Sequence, residues 1–317
     1  MRSEKTYIIK LCIVFLCFWG WILTCSAQKV ETNDYFYVLN TQQGLSDNCI
    51  LQMIQLADGR LAVRTRKGIN LYNGRRFTFI PLPAEKAESI TKYKGQTHLY
   101  ADSQDRLWVK EYQKIFCILL AEGRLLEHPL DALPGNGKVD KMKMMRNCPT
   151  GNAIQDLFVD SRKNVWVVMG DSLLNTQDGN LIHLKKEWGG LQDLDTDGKQ
   201  VYAFMDSGIV AVFQKDKLVY TTSAYSTAEA QHYRNTSLTV QTPSGQFYQI
   251  RTGHDEKNKT DASIFLHFNP ETRKYSKIFA CDYILHTLNM SSDNQALISC
   301  QHGYLMFDFK LGTTPRE

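Results

Sequence analysis

A pattern of short apolar strands recurs six times along the chain, and it constrains the fold more than any other feature of the sequence. Each copy has an alternating strand, a turn rich in Asp, Ser, Gly and Asn, and a second strand with a hydrophobic residue near its start. That residue is, in successive copies, Ala62, Trp108, Trp166, Tyr202, Tyr248 and Leu297. The spacings are 46, 58, 36, 46 and 49 residues, and an insertion at 129–151 accounts for the longest interval.

The apolar residues alternate with a period of two, and no segment keeps a helical stripe for three turns. A repeat of roughly 40 to 50 residues built from four short strands is typical of a β-propeller blade. We therefore predict an all-β propeller of about six four-stranded blades. The predicted repeats lie near residues 41–80, 81–127, 128–188, 189–226, 227–280 and 281–317.

The two ends of the chain bear on how the ring closes. Residues 35–39 read as an orphan strand ahead of the first repeat, and this strand is a candidate to complete the last blade. Joining the ends in this way would remove exposed sheet edges, which otherwise favour aggregation. The sequence leaves open two arrangements, a closed six-bladed ring and an incomplete seven-bladed ring.

The recurrent aromatic residues have a structural interpretation and a functional one. A blade is a small twisted sheet that cannot bury both of its faces alone, so an aromatic side chain is needed between neighbouring blades. We therefore predict that Trp108, Trp166, Tyr202 and Tyr248 belong to the core. A role as platforms that stack on sugars is the alternative for the two Trp residues.

The N-terminus has the pattern of an export signal. Three basic residues precede a 13-residue apolar run from Leu11 to Leu23, and small residues follow up to residue 27. A membrane-spanning helix needs about 20 apolar residues, so we interpret residues 1–27 as a cleaved signal peptide. The mature protein is then predicted to be periplasmic and soluble, and to associate with the membrane only if this segment stays uncleaved.

Composition excludes several classes of function. After the signal, 34 basic residues face 32 acidic ones, and this near balance does not favour a nucleic-acid partner. The five remaining cysteines are scattered and form no Cys-x-x-Cys pair, and the sequence has no glycine-rich phosphate loop. We therefore predict no metal, no cofactor and no nucleic-acid partner.

One catalytic motif is present in an unsuitable context. Gly170-Asp171-Ser172-Leu173 resembles the nucleophile motif of a lipase and esterase family, but that motif opens an α/β fold. Here it falls on a turn of the repeat. The nearest acid–base pair, Asp282 and His286, is four residues apart, where the family has a spacing of three. We therefore predict no catalytic residues, and an exported glycan-active enzyme is the least favoured alternative.

A ligand is expected on one face of the propeller. The turns between the second and third strands share a face with the connections between blades, and they carry charged, amide and aromatic side chains that suit polar sugar recognition. The segment Lys141–Arg146 is assigned to the same face. The residues predicted to bind the ligand are Arg66, Lys67, Tyr112, Lys114, Asp171 and His302.

The first repeat also resembles the two-component regulator propeller repeat. That repeat has a Gly-Leu-Ser/Pro-x-Asn lead-in, an Asp-x-x-Gly-x-Leu-Trp turn and a Thr-x-x-Gly-Leu segment. The matching residues are Gly44, Leu45, Ser46, Asn48, Asp58, Gly59, Leu61, Thr65, Gly68, Ile69 and Tyr72. Ala62 replaces the Trp, which returns as Trp108 and Trp166. The similarity is good over Tyr35–Ile80, moderate to Leu174 and weak beyond it.

This resemblance implies the periplasmic sensing part of a hybrid two-component system of the Bacteroidetes type, whose ligands are commonly oligosaccharides. Any histidine kinase activity would lie in segments that this chain does not contain. We therefore expect a non-catalytic sensor module that binds an oligosaccharide, with a second propeller or a second copy of the chain as a candidate partner. A protein–protein interaction scaffold is the first alternative.

Overall fold

The computed structural model describes residues 38–90, 97–135, 137–140, 154–226, 229, 232–233, 236–255 and 260–312. Met1–Leu39 and Asn40–Glu317 form separate units. Val38 and Leu39 have no regular secondary structure, and the rest of the predicted strand at 35–39 lies outside the described residues, as does the predicted signal peptide. No helix in the described ranges is long and apolar enough to cross a membrane.

In the larger unit, antiparallel sheets follow one another along the chain. Blade one contains β1 (Ile50–Gln55), β2 (Leu61–Thr65), β3 (Gly68–Tyr72) and β4 (Phe77–Pro81). Blade two contains β5 (Glu88–Ser89), β6 (His98–Ala101), β7 (Arg106–Glu111), β8 (Lys114–Leu119) and β9 (Arg124–Leu125). Blade three contains β10 (Asp156–Val159), β11 (Val165–Met169), β12 (Ser172–Asn175) and β13 (Leu181–His183). In blade two the order is β5–β8–β7–β6, and β9 also pairs with β8.

The second half of the unit continues the same arrangement. Blade four contains β14 (Leu191–Thr196), β15 (Val201–Met205), β16 (Ile209–Gln214) and β17 (Lys217–Ser223). Blade five contains β18 (Thr236–Gln241), β19 (Phe247–Asp255), β20 (Thr260–Asn269) and β21 (Lys274–Cys281). Blade six contains β22 (Leu285–Ser292), β23 (Gln295–Cys300) and β24 (Gly303–Asp308). Short 3₁₀ helices lie at Thr41–Gln43, Ala84–Lys86, Pro129–Ala132 and Lys186–Trp188.

The innermost strands of successive blades lie side by side and form the inner layer of the ring. β1 lies beside β6, β6 beside β10, β10 beside β14, β14 beside β18, and β18 beside β22. Each sheet runs outward from its inner strand in sequence order, with one exception. In blade two, β5 comes first in the sequence but lies on the outer side, next to β8. The prediction of an all-β propeller with six blades is therefore confirmed.

Each pair of successive blades encloses its own hydrophobic core, and the recurrent aromatic residues lie in four of these cores. Trp108 lies between blades two and three, Trp166 between blades three and four, Tyr202 between blades four and five, and Tyr248 between blades five and six. Their exposed fractions run from 1% to 8%. In blade one the much smaller Ala62 occupies this position, in the core shared with blade two.

The recurrent aromatic residue is also anchored by a hydrogen bond to the preceding turn. Trp108 Nε1 donates to Asp102 Oδ2 at 2.7 Å, and Trp166 Nε1 donates to Asp160 Oδ2 at 2.8 Å. In blade four the Tyr202 hydroxyl donates to Asp197 Oδ2 at 2.9 Å. Blade one has Leu56 at the carboxylate position and Ala62 at the aromatic one, so both partners of the bond are absent there.

The first part of the long insertion packs inside the fold. Leu130, Leu133 and Val139 are 0–2% exposed and belong to the core between blades two and three. Arg106 Nη1 donates to the carbonyl oxygen of Ala132, which holds the segment against blade two. The segment Lys141–Arg146, which we assigned to the ligand face, lies outside the described residues.

The ring has a seam between blade six and blade one. In the described part of the chain, no hydrophobic core and no hydrogen bond joins these two blades, whereas every other neighbouring pair shares a core. Met53 on β1 and Phe79 on β4 are 54% and 45% exposed, and Met306 on β24 is 52% exposed. The first and last blades thus each present partly apolar surface to solvent.

Candidate functional site

A cleft with a volume of about 250 Å³ opens between blades three and four, at the end where the inner strands begin. Its walls come from the β11–β12 turn, the segment that joins β13 to β14, and the first residues of the inner strands. The lining residues are Asp156, Val168, Gly170, Asp171, Leu184, Lys185, Lys186, Gly189, Gly190 and Leu191. Acidic, basic and apolar side chains therefore meet backbone peptide groups in one small volume.

The segment that joins β13 to β14 forms one wall of this cleft. Its 3₁₀ turn buries Trp188, whose ring centroid lies 6.1 Å from that of Phe213 in blade four. The chain then leaves the turn at Gly189 with φ +86° and ψ −156°, a conformation almost restricted to glycine. A β-carbon at Gly189 would also collide with Asp206 Oδ1. Glycine is thus required here for two reasons, its backbone conformation and the closeness of Asp206.

Asp171 stands on the opposite wall, in the turn between β11 and β12. Gly170, at φ +62°, provides the left-handed residue of this turn. The Asp171 carbonyl oxygen accepts a hydrogen bond from the Leu184 amide at 2.8 Å, which ties the turn to the connecting segment. The carboxylate itself is exposed at the rim, so it is able to accept hydrogen bonds from a ligand.

The inner part of the cleft is bounded by a buried ion pair. Lys110 Nζ in blade two lies 2.9 Å from Asp156 Oδ1 in blade three, and the two side chains are 1% and 6% exposed. The same ammonium group lies 3.9 Å from the centre of the Phe158 ring, a favourable cation–π geometry. This pairing fixes the position of Asp156 and neutralises its charge.

The remaining charges of the cleft are also close to balanced. Lys185 Nζ lies 3.6 Å from a Glu187 oxygen and 5.5 Å from the centre of the Trp188 ring. Lys186 and Asp171 add one charge of each sign, and both are exposed. No cluster of three or more His, Cys, Asp or Glu side chains suited to a metal ion occurs among the described residues. The cleft offers hydrogen-bond donors and acceptors rather than a strong field of one sign.

Polar side chains at equivalent positions of the inner strands connect other pairs of neighbouring blades. Gln52 Oε1 on β1 accepts a hydrogen bond from the Leu99 amide on β6 at 2.6 Å. Asp193 Oδ2 on β14 accepts one from the Thr239 amide on β18 at 2.6 Å. The inner edge of each sheet has unpaired N–H groups, and these side chains satisfy two of them.

Burial of Asp193 makes the stability of the protein depend on pH. Burial raises the pKa of this carboxyl to about 7, although amide hydrogen bonds from Leu194 and Thr239 act in the opposite direction. The unfolded value is about 3.9, so between about pH 4 and 7 the folded state binds the additional proton. This group therefore makes the free energy of unfolding fall as pH rises through that range, by up to about 1.4 kcal/mol per pH unit.

The test compares the wild type with Asp193→Asn, whose side-chain amide oxygen can still accept the hydrogen bond from the Thr239 amide. His98 has its pKa lowered to about 3 by burial and by the nearby Lys110 charge, so it contributes the opposite trend. Because His98 is present in both proteins, the difference between their unfolding free energies isolates Asp193. We expect Asp193→Asn to gain stability relative to the wild type from pH 4 to 7 in denaturant titrations. Parallel stability curves would contradict this account.

The structure brings one of the six predicted ligand-binding residues into the cleft. Asp171 lines it, whereas the other five lie on turns or strand ends of blades one, two and six and do not contribute to its walls. Arg66 and Lys67 are exposed on the β2–β3 turn. Lys114, the first residue of β8, is half-buried, and His302 lies 5.1 Å from Tyr283 between ring centroids.

Tyr112 has the most unusual geometry of these residues. Its side chain is 67% exposed at the tip of the β7–β8 turn. Tyr112 and Gln113 have φ of +41° and +64°, a left-handed region that usually takes Gly or Asn in two-residue hairpins. The chain therefore holds a large aromatic ring at a strained, solvent-facing position on the same end of the propeller as the cleft.

Sequence reasoning missed Lys185, Lys186 and Gly189. The three residues lie at a boundary between two repeats, where no motif marks them. The signal that could have found them is the pair of glycines after Trp188. Two consecutive glycines that follow a buried aromatic residue indicate a chain that turns sharply beside open space.

The lipase-like motif forms a contact that does not resemble a catalytic triad. Ser172 Oγ lies 3.0 Å from His183 Nδ1, because the two residues are directly opposite each other on β12 and β13. Within the described residues, the side-chain contact of the His183 ring is with Ser172 and not with a carboxylate. Asp282 and His286 lie in or beside blade six. A cross-strand Ser–His pair on an exposed surface is therefore the description that fits.

Comparisons with known proteins give similarities of fold alone. No family model matches the chain, and no curated protein matches it. Among solved structures, PorZ, a surface component of the type-IX secretion system of Porphyromonas gingivalis, has a TM-score of 0.46 and 13% identity. The match covers 84% of this chain and 32% of PorZ, so the chain spans about a third of that protein.

Two further solved structures are propeller-related. The WD40 β-propeller domain of Doa1 has a TM-score of 0.41 and 11% identity, with coverage of 81% of this chain and 92% of that one. BamB from Moraxella catarrhalis has a TM-score of 0.38 and 12% identity, with coverage of 84% and 86%. At such identities these similarities concern architecture only.

Proposed function

We propose that this chain is an exported, non-catalytic sensor module that binds a neutral oligosaccharide at the cleft between blades three and four. The observation that carries the proposal is the cleft itself, in which acidic, basic and peptide groups converge beside the apolar side chains of Val168, Leu184 and Leu191. Sugar hydroxyls both donate and accept hydrogen bonds, so they suit a site with Lys donors and an Asp acceptor in balance. The resemblance of the first repeat to two-component regulator propellers supports the sensor assignment.

The size of the cleft indicates how much of the ligand enters it. Its volume of about 250 Å³ is below the range of roughly 300–1,000 Å³ typical of sites that enclose a whole drug-sized molecule. One sugar unit is therefore expected to enter, with its C–H faces against Val168, Leu184 and Leu191. The rest of the oligosaccharide then extends over the neighbouring turn of blade two, where Tyr112 and Lys114 are candidates for further contacts.

The test is a thermal melt of the purified protein with a panel of neutral plant, host and microbial oligosaccharides. A ligand that binds the native state raises the melting temperature in a concentration-dependent way. We expect at least one oligosaccharide to do so in the wild type. Loss of an ionic hydrogen bond costs about 1.5–3 kcal/mol, so Asp171→Ala and Lys186→Ala should each weaken binding roughly 10- to 150-fold.

Matched controls distinguish the cleft from other surface charges. Lys199→Ala removes an exposed lysine from the β14–β15 turn at the opposite end of blade four, and it should leave binding unchanged. All three altered residues are exposed, so the unliganded melting temperatures should stay near that of the wild type. If no oligosaccharide of the panel raises the melting temperature, the result contradicts the proposal and favours the protein-binding scaffold. Equal binding by wild type and both cleft variants would contradict the assigned site.

A further inference from the structure

The outermost strand of blade six, β24, is the edge strand of its sheet. In the described part of the chain, β24 pairs with β23 only, and blade six has three strands where the other blades have at least four. In an antiparallel sheet, every second residue of an edge strand directs its N–H and C=O groups away from its single neighbour. β24 therefore presents a row of backbone groups able to pair with another strand.

The outer strands of the other blades carry features that discourage strand addition. β4 ends in Pro81, while β9 and β13 are only two and three residues long. β17 carries Lys217, β21 carries Lys274 and Lys277, and both strands have an irregular register with their neighbours. Prolines, lysines, short lengths and bulges are the usual protections of edge strands.

β24 has none of these protections. Its one charged residue is Asp308 at its end, it has no lysine and no proline, and its register with β23 is uninterrupted. The strand also lies beside exposed apolar surface: Leu297, Tyr304 and Met306 share one face of the sheet and are 41%, 67% and 52% exposed. Its opposite face packs in the core with blade five.

We propose that β24 pairs antiparallel with β24 of a second copy of this chain, so that two blades merge into one six-stranded sheet in a two-fold dimer. Such a contact uses the same surface on both copies and closes after two subunits. It also places the exposed faces that carry Tyr304 and Met306 side by side, where cross-strand apolar pairs stabilise the sheet.

The polar side chains at the two ends of the strand favour this occupant and this direction, because an imidazole and a carboxylate can form a hydrogen bond. His302 precedes the strand, and Asp308 ends it. Antiparallel pairing about a two-fold axis brings Asp308 of each copy towards His302 of the other. Parallel pairing would set the two Asp308 carboxylates next to each other, and like charges directly opposite on neighbouring strands are destabilising.

Sedimentation velocity of the purified protein over a wide concentration range tests the proposal. We expect a reversible dimer in the wild type and a dissociation constant at least roughly tenfold higher in Met306→Lys, because a lysine at the edge opposes pairing. The matched control is Val219→Lys on β17, a residue 40% exposed on the outer strand of blade four, and it should dimerise like the wild type.

Two results would overturn the proposal: a wild type that is monomeric at every concentration, or a dimer that Met306→Lys leaves intact. Hydrogen exchange of the outward-facing β24 amides, those that do not donate to β23, gives an independent reading, since their protection should appear only in the dimer. Protection of these outward-facing amides in a monomer would mean that a strand of the same molecule or a bound peptide occupies the edge, which also contradicts the proposal. If Met306→Lys melts early, Tyr304→Lys, at the more exposed position, takes its place.

Discussion

Trp108→Ala and Trp166→Ala should each lower the free energy of unfolding by roughly 3–5 kcal/mol, the usual cost of removing a buried aromatic ring. Each indole is at most 3% exposed and fills the space between two blades. Each also donates to a turn carboxylate, so its loss affects the packing and the turn together. Denaturant unfolding monitored by circular dichroism measures the change.

Trp108→Phe separates these two contributions. Phenylalanine keeps most of the apolar contact but cannot donate to Asp102, which keeps its hydrogen bond to Arg106 Nε at 2.6 Å. A hydrogen bond to a charged group contributes about 1.5–3 kcal/mol, so the Phe variant should lie between the wild type and Trp108→Ala. Wild-type stability in both alanine variants would mean that the blades are assigned to the wrong register.

Lys110→Met should destabilise the protein by about 3–5 kcal/mol, the range for breaking a buried ion pair from one side. The substitution leaves Asp156, only 4% exposed, without its ammonium partner. An uncompensated buried charge costs more than the pair itself contributes. The measurement is again the free energy of unfolding at neutral pH.

A double variant and a surface pair provide the controls for this prediction. Adding Asp156→Asn to Lys110→Met removes the buried carboxylate charge that has lost its ammonium partner, so the double variant should be more stable than Lys110→Met alone. Lys86→Met breaks a 2.6 Å pair with the exposed Glu127 and should cost less than about 1 kcal/mol. Strictly additive effects of the two buried substitutions would show that Lys110 and Asp156 do not interact.

The blades were predictable because they repeat. A blade needs an apolar residue at the same point of its second strand each time, so the signal at Trp108, Trp166, Tyr202 and Tyr248 accumulates along the chain. The turn carboxylates that receive the Trp N–H groups were harder to interpret. An Asp in a turn is common for local reasons, and nothing in one copy shows that the side chain also reaches the next strand.

The cleft was less predictable, because its walls come from segments that become neighbours only in the fold. Asp171 belongs to a turn of blade three, whereas Gly189 and Gly190 follow that blade and make the passage to blade four. Position on a turn placed Asp171 at the end of the propeller where the cleft opens. It could not show that the cavity would form between blades three and four, away from Arg66, Lys67 and His302.

Equilibrium dialysis followed by chromatography of the sugar tests the central claim most directly. The purified protein is dialysed against the oligosaccharide that raises its melting temperature, and the sugar on both sides is then measured for amount and chain length. The account predicts an excess of sugar on the protein side, saturating with concentration, and full recovery at the original length. Shortened sugar would contradict a non-catalytic module, and equal amounts on both sides would contradict a binding site.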